Sequence, residues 1–340
     1  MSWVSTARNA WISLQVNTRS FPSTLLSHPW DPQSFSDTPI LHLQKSLSDI
    51  IHNMSYQTLI SSASERDLIR LQSCSGTGAG AFLSALPYER GSSFSNAEID
   101  LALRFRLGLP LPGLSHQCVC ATTPDEIGDH YMCCNFGGDL QVRHDWIKQV
   151  FSSILKSAGS SVQCEVPISA FDPNQPSLVN RRFDLLARTG AHSPLSADVS
   201  IVHPTPCSAA SRRTYSRQAG TAARIREELK SNAYTGISRR LGMVFTPLIF
   251  ESFGRCGTKC ERFLKTLARH VASRESFSGT ASPHTSALLL HSWRRRISCA
   301  LQKANARIFQ MRAFRGAAGP TSNYSDSVDF GDLRLPRFNF

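Results

Sequence analysis

The sequence lacks long hydrophobic runs. No stretch approaches the roughly 18 consecutive apolar residues that a membrane-spanning helix needs, so we predict no membrane span. The first thirty residues also lack an apolar stretch between a basic start and a small-residue cleavage site, which predicts no signal peptide. We therefore expect an intracellular, reducing environment, where the ten cysteines indicate metal binding rather than disulfides.

Acidic residues are scarce relative to basic ones. The chain has 37 Lys and Arg against 25 Asp and Glu, which gives a formal charge of +12 and an isoelectric point of about 9.5. Arg is the more frequent of the two basic types, and its guanidinium makes bidentate contacts with phosphate. We expect a nucleic acid as the partner, DNA first and RNA second, ahead of an anionic membrane. The alternative is general basicity without a binding function.

Capping signals and apolar periodicity divide the chain into segments. Ser64 and Ser95 have the character of helix N-caps, with Asp67 and Glu98 three residues further on. The predicted segments are a flexible lead-in (1–38), a helical segment (39–112), a zinc knuckle (113–142), an α/β core (143–275), a C-terminal helix (276–315) and a flexible tail (316–340).

The predicted core has the order helix, strand, strand, strand, helix, strand. This order indicates a small mixed sheet with helices on both sides, an α/β fold. Pro247 lies in the last strand and is expected near a sheet edge or a bulge, because proline cannot donate to a ladder. The predicted bounds are about 143–158 for the first helix, 162–168 for the first strand, two strands within 181–204, 215–234 for the second helix and 242–251 for the last strand.

Two predicted adjacent strands each carry one acid among apolar residues. These acids are Asp184 and Asp198. A carboxylate within an apolar strand costs several kcal/mol unless it is paired or holds a metal, and two on adjacent strands can share one divalent cation such as Mg²⁺. The alternative is that each acid faces solvent. Glu165 in the preceding strand is a candidate third ligand, or an exposed strand acid.

A phosphodiesterase also needs a cation near the scissile phosphate. Ser200 occupies the position two residues after Asp198 where an Asp-x-Lys pattern would place it, so Lys230 on the next helix is our candidate, with Tyr234 one turn further on. The alternative for Lys230 is an ordinary solvated lysine. His144 is a candidate for action near the phosphate or for backbone contact, and Asp145 is expected to interact with the helix N-terminus. Arg143, Arg181, Arg182 and Tyr234 are candidate nucleic-acid contacts.

A cysteine and histidine cluster precedes the core. Cys118, Cys120, His130 and Cys134 provide two close ligand pairs separated by a loop, which suits tetrahedral zinc. Gly128 would permit the tight turn before His130. Cys133 is an alternative to Cys134, and the competing interpretation is a set of buried free thiols with a surface histidine.

The order of these motifs resembles a known family. A Cys/His knuckle is followed by Arg143-His144-Asp145, then by Arg-Arg-x-Asp ending at Asp184, then by Asp198-Val-Ser. This order resembles the C-terminal region of non-LTR retrotransposon proteins, where a restriction-enzyme-like endonuclease follows the reverse transcriptase. The resemblance covers about residues 100–313. Phe183 stands where the family has proline, and the chain offers no Tyr-x-Asp-Asp motif of a reverse transcriptase.

The resemblance implies a PD-(D/E)XK nuclease fold with an αβββαβ core. It implies Asp184 and Asp198 as Mg²⁺ ligands, Lys230 as the catalytic cation and the Cys/His cluster as a structural zinc site. The implied function is a nuclear, metal-dependent endonuclease that nicks DNA to support target-primed reverse transcription. The alternative is a catalytically inactive nucleic-acid-binding remnant of such a protein. A third possible function is that of a transcription or interaction factor that uses the knuckle alone.

Overall fold

The computed structural model describes residues 43–87, 91–114, 117–171, 178, 180–190, 193–205, 209–277 and 284–317. The predicted flexible lead-in lies outside these residues, as does the predicted tail beyond Ala317. The chain divides into two compact units, Met1–Ser62 and Ala63–Phe340. The first contributes helix α1 (Leu43–Ser62). Among the described residues, no helix is both long and apolar enough to cross a membrane.

The second unit contains the remaining helices and a single described sheet. The helices are α2 (Glu65–Cys74), α3 (Asn96–Leu107), α4 (Asp129–Cys133), α5 (Asp139–Ser157), α6 (Ala209–Ser216), α7 (Thr221–Arg240), α8 (Thr258–Phe277) and α9 (Thr285–Ala317). The strands are β1 (Ser161–Pro167), β2 (Arg182–Arg188), β3 (Leu195–Val202) and β4 (Val244–Glu251).

The predicted N-caps are confirmed. The Ser64 side chain accepts a hydrogen bond from the Asp67 backbone N–H, and α2 begins there. Ser95 and Glu98 form a reciprocal capping box at the start of α3, which satisfies backbone donors that a helix N-terminus would otherwise leave unpaired. Gly108 ends α3 in the left-handed conformation, with φ +70°.

The four described strands form an open mixed sheet in the order β1-β2-β3-β4. β1 and β3 each run antiparallel to β2, whereas β4 runs parallel to β3. β4 is thus an edge strand, which confirms the expectation for Pro247. The order of elements from α5 onward confirms the predicted α/β architecture.

Helices cover both faces of this sheet. On one face, α5, α8 and α9 enclose the main apolar core, while α7 packs on the other. The alternation of side chains along a strand explains this division: Leu185 faces the main core, whereas Leu186 packs beside α7. The largest buried core side chains include Phe151, Ile154, Leu185, Phe250, Leu264 and Trp293.

Several predicted boundaries are wrong. Helix α5 begins at Asp139 rather than 143, so the predicted limit of the knuckle at 142 falls inside its first turn. The predicted helix 215–234 is two helices, α6 and α7, and α7 continues to Arg240. The predicted C-terminal helix, 276–315, corresponds to α9, which contributes Trp293, Ile297 and Leu301 to the main core.

Candidate functional site

Three acids form a row across adjacent strands. The β2–β3 pairing ends where Leu185 aligns with Ala197, and Asp184 and Asp198 are the next residues of the two strands in that register. In β1, Cys164 and Val166 align with the residues on either side of Asp184, which places Glu165 beside it. All three acids line one cleft. The competing prediction, that each aspartate is an exposed acid on a solvated face, is wrong because both residues are buried.

The Asp184 carboxylate is fixed by two hydrogen bonds to its Oδ2 atom. The backbone N–H of Val199 donates to this oxygen at 2.7 Å, and His144 Nε2 lies 3.0 Å from it. Burial opposes protonation of His144, but the hydrogen bond and charge of Asp184 raise the pKa of the imidazole above its ordinary value. Asp184 is therefore held by one strand and one helix at once.

Asp198 forms an ion pair with Lys230. The Lys230 Nζ atom reaches from α7 to within 2.7 Å of Asp198 Oδ1. Burial and the nearby charge of Asp184 raise the pKa of Asp198, although Lys230 partly opposes this shift. Tyr234 lies one turn beyond Lys230, with its ring centre 5.7 Å from Nζ, and its pKa is raised by burial and by both aspartates. The structure thus brings Asp184, Asp198, Lys230 and Tyr234 together, as the sequence predicts.

Glu165 is paired with a residue that sequence reasoning missed. Lys148 Nζ contacts Glu165 Oε1 directly and lies 2.6 Å from Asp145 Oδ1, while Arg182 lies 3.3 Å from the other Glu165 oxygen. Burial lowers the pKa of Lys148, but hydrogen bonds and charges from Asp145 and Glu165 raise it overall. The available signal was helical spacing, since Lys148 follows His144 by four residues and shares its face.

Asp145 does not interact with the helix N-terminus. Because α5 begins at Asp139, Asp145 lies in the second turn, beyond the free N–H groups of the first. Its carboxylate instead contacts Lys148 and His144 Nδ1, and these contacts lower its pKa although burial opposes the shift. Asp139 occupies the first turn and forms an ion pair with Arg312 at 2.9 Å.

The row of acids opens into a polar cleft with a volume of about 490 Å³. Ser200 lines it, so the position of the missing Asp-x-Lys lysine does face this site. The cleft also receives Arg182, whose side chain is 61% exposed and lies at its edge. The lining residues are Gln141, His144, Glu165, Arg182, Asp184, Asp198, Val199, Ser200 and Lys230.

Arg143 is not a nucleic-acid contact. It is only 2% exposed, and its guanidinium donates to the Asn305 side chain at 3.1 Å and to the Met132 carbonyl at 3.4 Å. Burial lowers its pKa to about 10. Its neighbour in the motif, His144, points to the cleft because successive residues on a helix lie about 100° apart. Arg181 is exposed and donates to the Ala233 carbonyl at 3.2 Å.

The Cys/His cluster has dimensions suitable for a metal ion. The candidate ligand atoms of Cys118, Cys120, His130 and Cys134 all lie within 4.8 Å of one another. Zinc–sulfur bonds of about 2.3 Å in a tetrahedron separate the sulfurs by about 3.8 Å. The Cys118 and Cys134 sulfurs are 3.7 Å apart, and Cys120 Sγ lies 3.4 Å from His130 Nε2. This cluster can therefore bind a metal and is compatible with structural zinc.

The structure also distinguishes the two neighbouring cysteines. Cys134 is buried within the cluster, whereas Cys133 is exposed. Arg312 lies beside the cluster, with a nitrogen 3.8 Å from Cys118 Sγ and contacts to the Cys134 and Phe136 carbonyls. A hydrogen bond from Thr122 lowers the pKa of Cys120 to about 6, while burial raises that of Cys118 to about 11.

Asp129, which precedes His130 of the Cys/His cluster, is joined to the strand ends by a polar network. His203 follows β3, and its Nε2 atom lies 3.2 Å from Asp129 Oδ1. Its Nδ1 atom lies 2.6 Å from the hydroxyl of Ser252, which follows β4. Arg66 of α2 also pairs with Asp129, at 2.6 Å. These contacts hold the His203 ring in a buried position between Asp129 and Ser252.

We expect Gly128→Ala to lower the free energy of unfolding by about 2–4 kcal/mol. A residue other than glycine in the left-handed conformation costs about 1 kcal/mol, and overpacking of the core adds about 1–3 kcal/mol. Gly128 has φ +86°, and a Cβ atom there would lie 2.6 Å from both Leu111 Cδ1 and Phe309 Cε1. Urea denaturation measures the change.

The matched control for this prediction is Gly138→Ala. Gly138 has φ +74° but no atom within 4 Å of a Cβ position, so only the cost of about 1 kcal/mol for backbone strain should appear. Equal losses in the two variants would contradict the packing argument.

Comparison with known proteins adds no relative: no protein-family model matches the chain, and a search of curated proteins finds no match. The function of the site is therefore inferred from the chemistry and geometry of its own residues.

Proposed function

We propose that this protein is a metal-dependent endonuclease of the restriction-endonuclease-like fold, acting on DNA. The observation that carries this proposal is the opposition of Asp184 and Asp198 on one face of the sheet, in an open cleft with Lys230. The αβββαβ order and the mixed four-stranded sheet support the fold assignment.

The donor set of the cleft fits a divalent cation. Two buried carboxylates on opposing positions repel each other, and this repulsion contributes to the raised pKa of Asp198. A cation between them would relieve that repulsion, and oxygen ligands are those that Mg²⁺ prefers. When bound, such an ion would supply Lewis-acid polarisation of the phosphate and a more acidic water.

The other side chains of the cleft would have separate roles in DNA binding and hydrolysis. Val199 and His144 fix the orientation of the Asp184 carboxylate through its Oδ2 atom. Lys230 is partly exposed to the cleft, so its ammonium can contact a bound phosphate and stabilise the negative charge that develops during hydrolysis. Arg182 at the edge would contact the phosphate backbone and position the strand.

The Cys/His cluster would serve as a structural zinc site. All four candidate ligands are supplied by protein side chains, which is typical of structural rather than catalytic zinc. The cluster packs into the apolar group that contains Phe105, Phe253 and Phe309, so zinc would hold this part of the unit together. The zinc would therefore stabilise the fold and take no part in hydrolysis.

The proposal is tested with supercoiled plasmid, purified protein and either Mg²⁺ or a chelator. We expect conversion of the plasmid to the open circle with Mg²⁺ and none with the chelator. A gel-shift assay in the same buffer distinguishes an endonuclease from an inactive nucleic-acid-binding remnant, because the remnant retards DNA and leaves it uncut. A variant lacking residues 143–313 that keeps its full activity would instead indicate a knuckle-only factor.

A further inference from the structure

Lys148 and Lys230 both reach the row of acids, but they occupy different environments. Lys230 lines the cleft and its side chain is 26% exposed, whereas the side chain of Lys148 is 6% exposed. A phosphate that enters the cleft can meet Lys230, while Lys148 is enclosed by α5 and β1. The two lysines therefore cannot have the same role.

Lys148 is held by two carboxylates at once. Its ammonium contacts Glu165 of β1 and Asp145 of α5. A buried ammonium costs several kcal/mol unless its charge is compensated, and removal of one partner from such a group is strongly destabilising. The Lys148 ammonium therefore neutralises these two carboxylates.

The backbone conformation of Glu165 indicates that contacts of its side chain hold this residue in place. Its φ is +55°, a left-handed value within a strand, and regular pairing with β2 is interrupted there. A residue other than glycine persists in such a conformation only when the surrounding structure determines it. Lys148 and Arg182 each contact one oxygen of the Glu165 carboxylate, and these contacts hold the residue in this conformation.

We propose that Lys148 is a built-in cation that removes Glu165 from the metal-binding set, so that Asp184 and Asp198 alone hold a single divalent ion in the cleft. This inference rests on the proposed metal-dependent function. Without Lys148, Glu165 would keep the exposed Arg182 and Asp145 would keep His144 and Gln141, which leaves the two carboxylates without their buried counter-ion. Such a group of acids can hold a second metal ion, as two-metal nucleases do. Lys148 is accordingly a positioning residue and not a catalytic one.

The experiment counts Mn²⁺ ions bound to zinc-loaded full-length protein by calorimetric titration. We expect about one ion for the wild type and for Lys148→Arg, and about two for Lys148→Met. Lys156→Met, an exposed position on the same helix, is the matched control and should bind about one. Two ions in the wild type, or an unchanged titration for Lys148→Met, would overturn the proposal.

A second variant, which leaves Lys148 paired with Asp145, tests the proposal independently of Lys148→Met. Glu165→Gln should bind about one Mn²⁺ with an affinity within about twofold of the wild type, because Glu165 is not a ligand. A tenfold or larger loss, about 1.4 kcal/mol, would identify Glu165 as a direct ligand and reject the proposal. Failure of plasmid nicking with a normal ion count would instead count against the endonuclease function, so the two failures are distinguishable.

Discussion

Replacing Asp198 with asparagine is expected to reduce Mg²⁺-dependent nicking by roughly a thousandfold. The substitution keeps the size of the side chain but removes the charge that pairs with Lys230 and would hold the metal. A catalytic metal contributes several kcal/mol of transition-state stabilisation, and about 4 kcal/mol corresponds to three orders of magnitude in rate. Asp184→Asn should have an effect of the same size, and the initial rate of plasmid nicking measures both.

DNA binding should survive in both variants, because phosphate contacts come from basic residues such as Arg182 and not from the acids. The matched control is Asp100→Asn, an exposed acid on α3 whose carboxylate pairs with Arg104 four residues away. It should nick at the wild-type rate. If the Asp184 and Asp198 variants nick plasmid as fast as the wild type, the site has been assigned to the wrong residues.

Replacing Cys134 with serine is expected to remove bound zinc and to destabilise the second unit by at least about 3 kcal/mol, since the binding energy of a structural zinc is folding energy. Cys134 is buried, its sulfur is 3.7 Å from that of Cys118, and it packs with Tyr131 and Phe309. Zinc content by atomic absorption and the denaturation midpoint in urea measure the two effects.

The neighbouring residue provides an internal control. Cys133→Ser changes the same side chain one position earlier, where the thiol is exposed. This variant should retain about one zinc ion per chain and the stability of the wild type. Retention of zinc by the Cys134 variant together with its loss from the Cys133 variant would show that the ligand set is the other one.

Much of the fold could be predicted from local patterns. The caps at Ser64 and Ser95 act within four residues, so the sequence contains all the partners involved. The alternation in β2 and β3 depends likewise on neighbours along the chain. The start of α5 and the break between α6 and α7 were missed, because helix ends depend on packing as well as on propensity.

The candidate site shows the same limit. Asp184, Asp198 and Lys230 could be predicted because acids in apolar strands are unusual and the following helix is the nearest source of a cation. Arg143 and Lys148 could not be assigned correctly, since both are buried basic residues on one amphipathic helix and only their partners on other elements distinguish them. Arg143 faces Asn305 of α9, which is 162 residues away in the chain, and Lys148 faces Glu165 of β1.

The sequence by itself determined the strands and most of the helices of the core, the residue types that carry the chemistry and the spacing of the Cys/His ligands. These are properties of short segments, where periodicity and side-chain chemistry act between near neighbours. Only the tertiary structure decided that Asp184 opposes Asp198, that Cys134 rather than Cys133 joins the cluster and that Lys148 neutralises Glu165. Those outcomes depend on strand register and helix rotation, which are fixed when the separate apolar faces pack into one core.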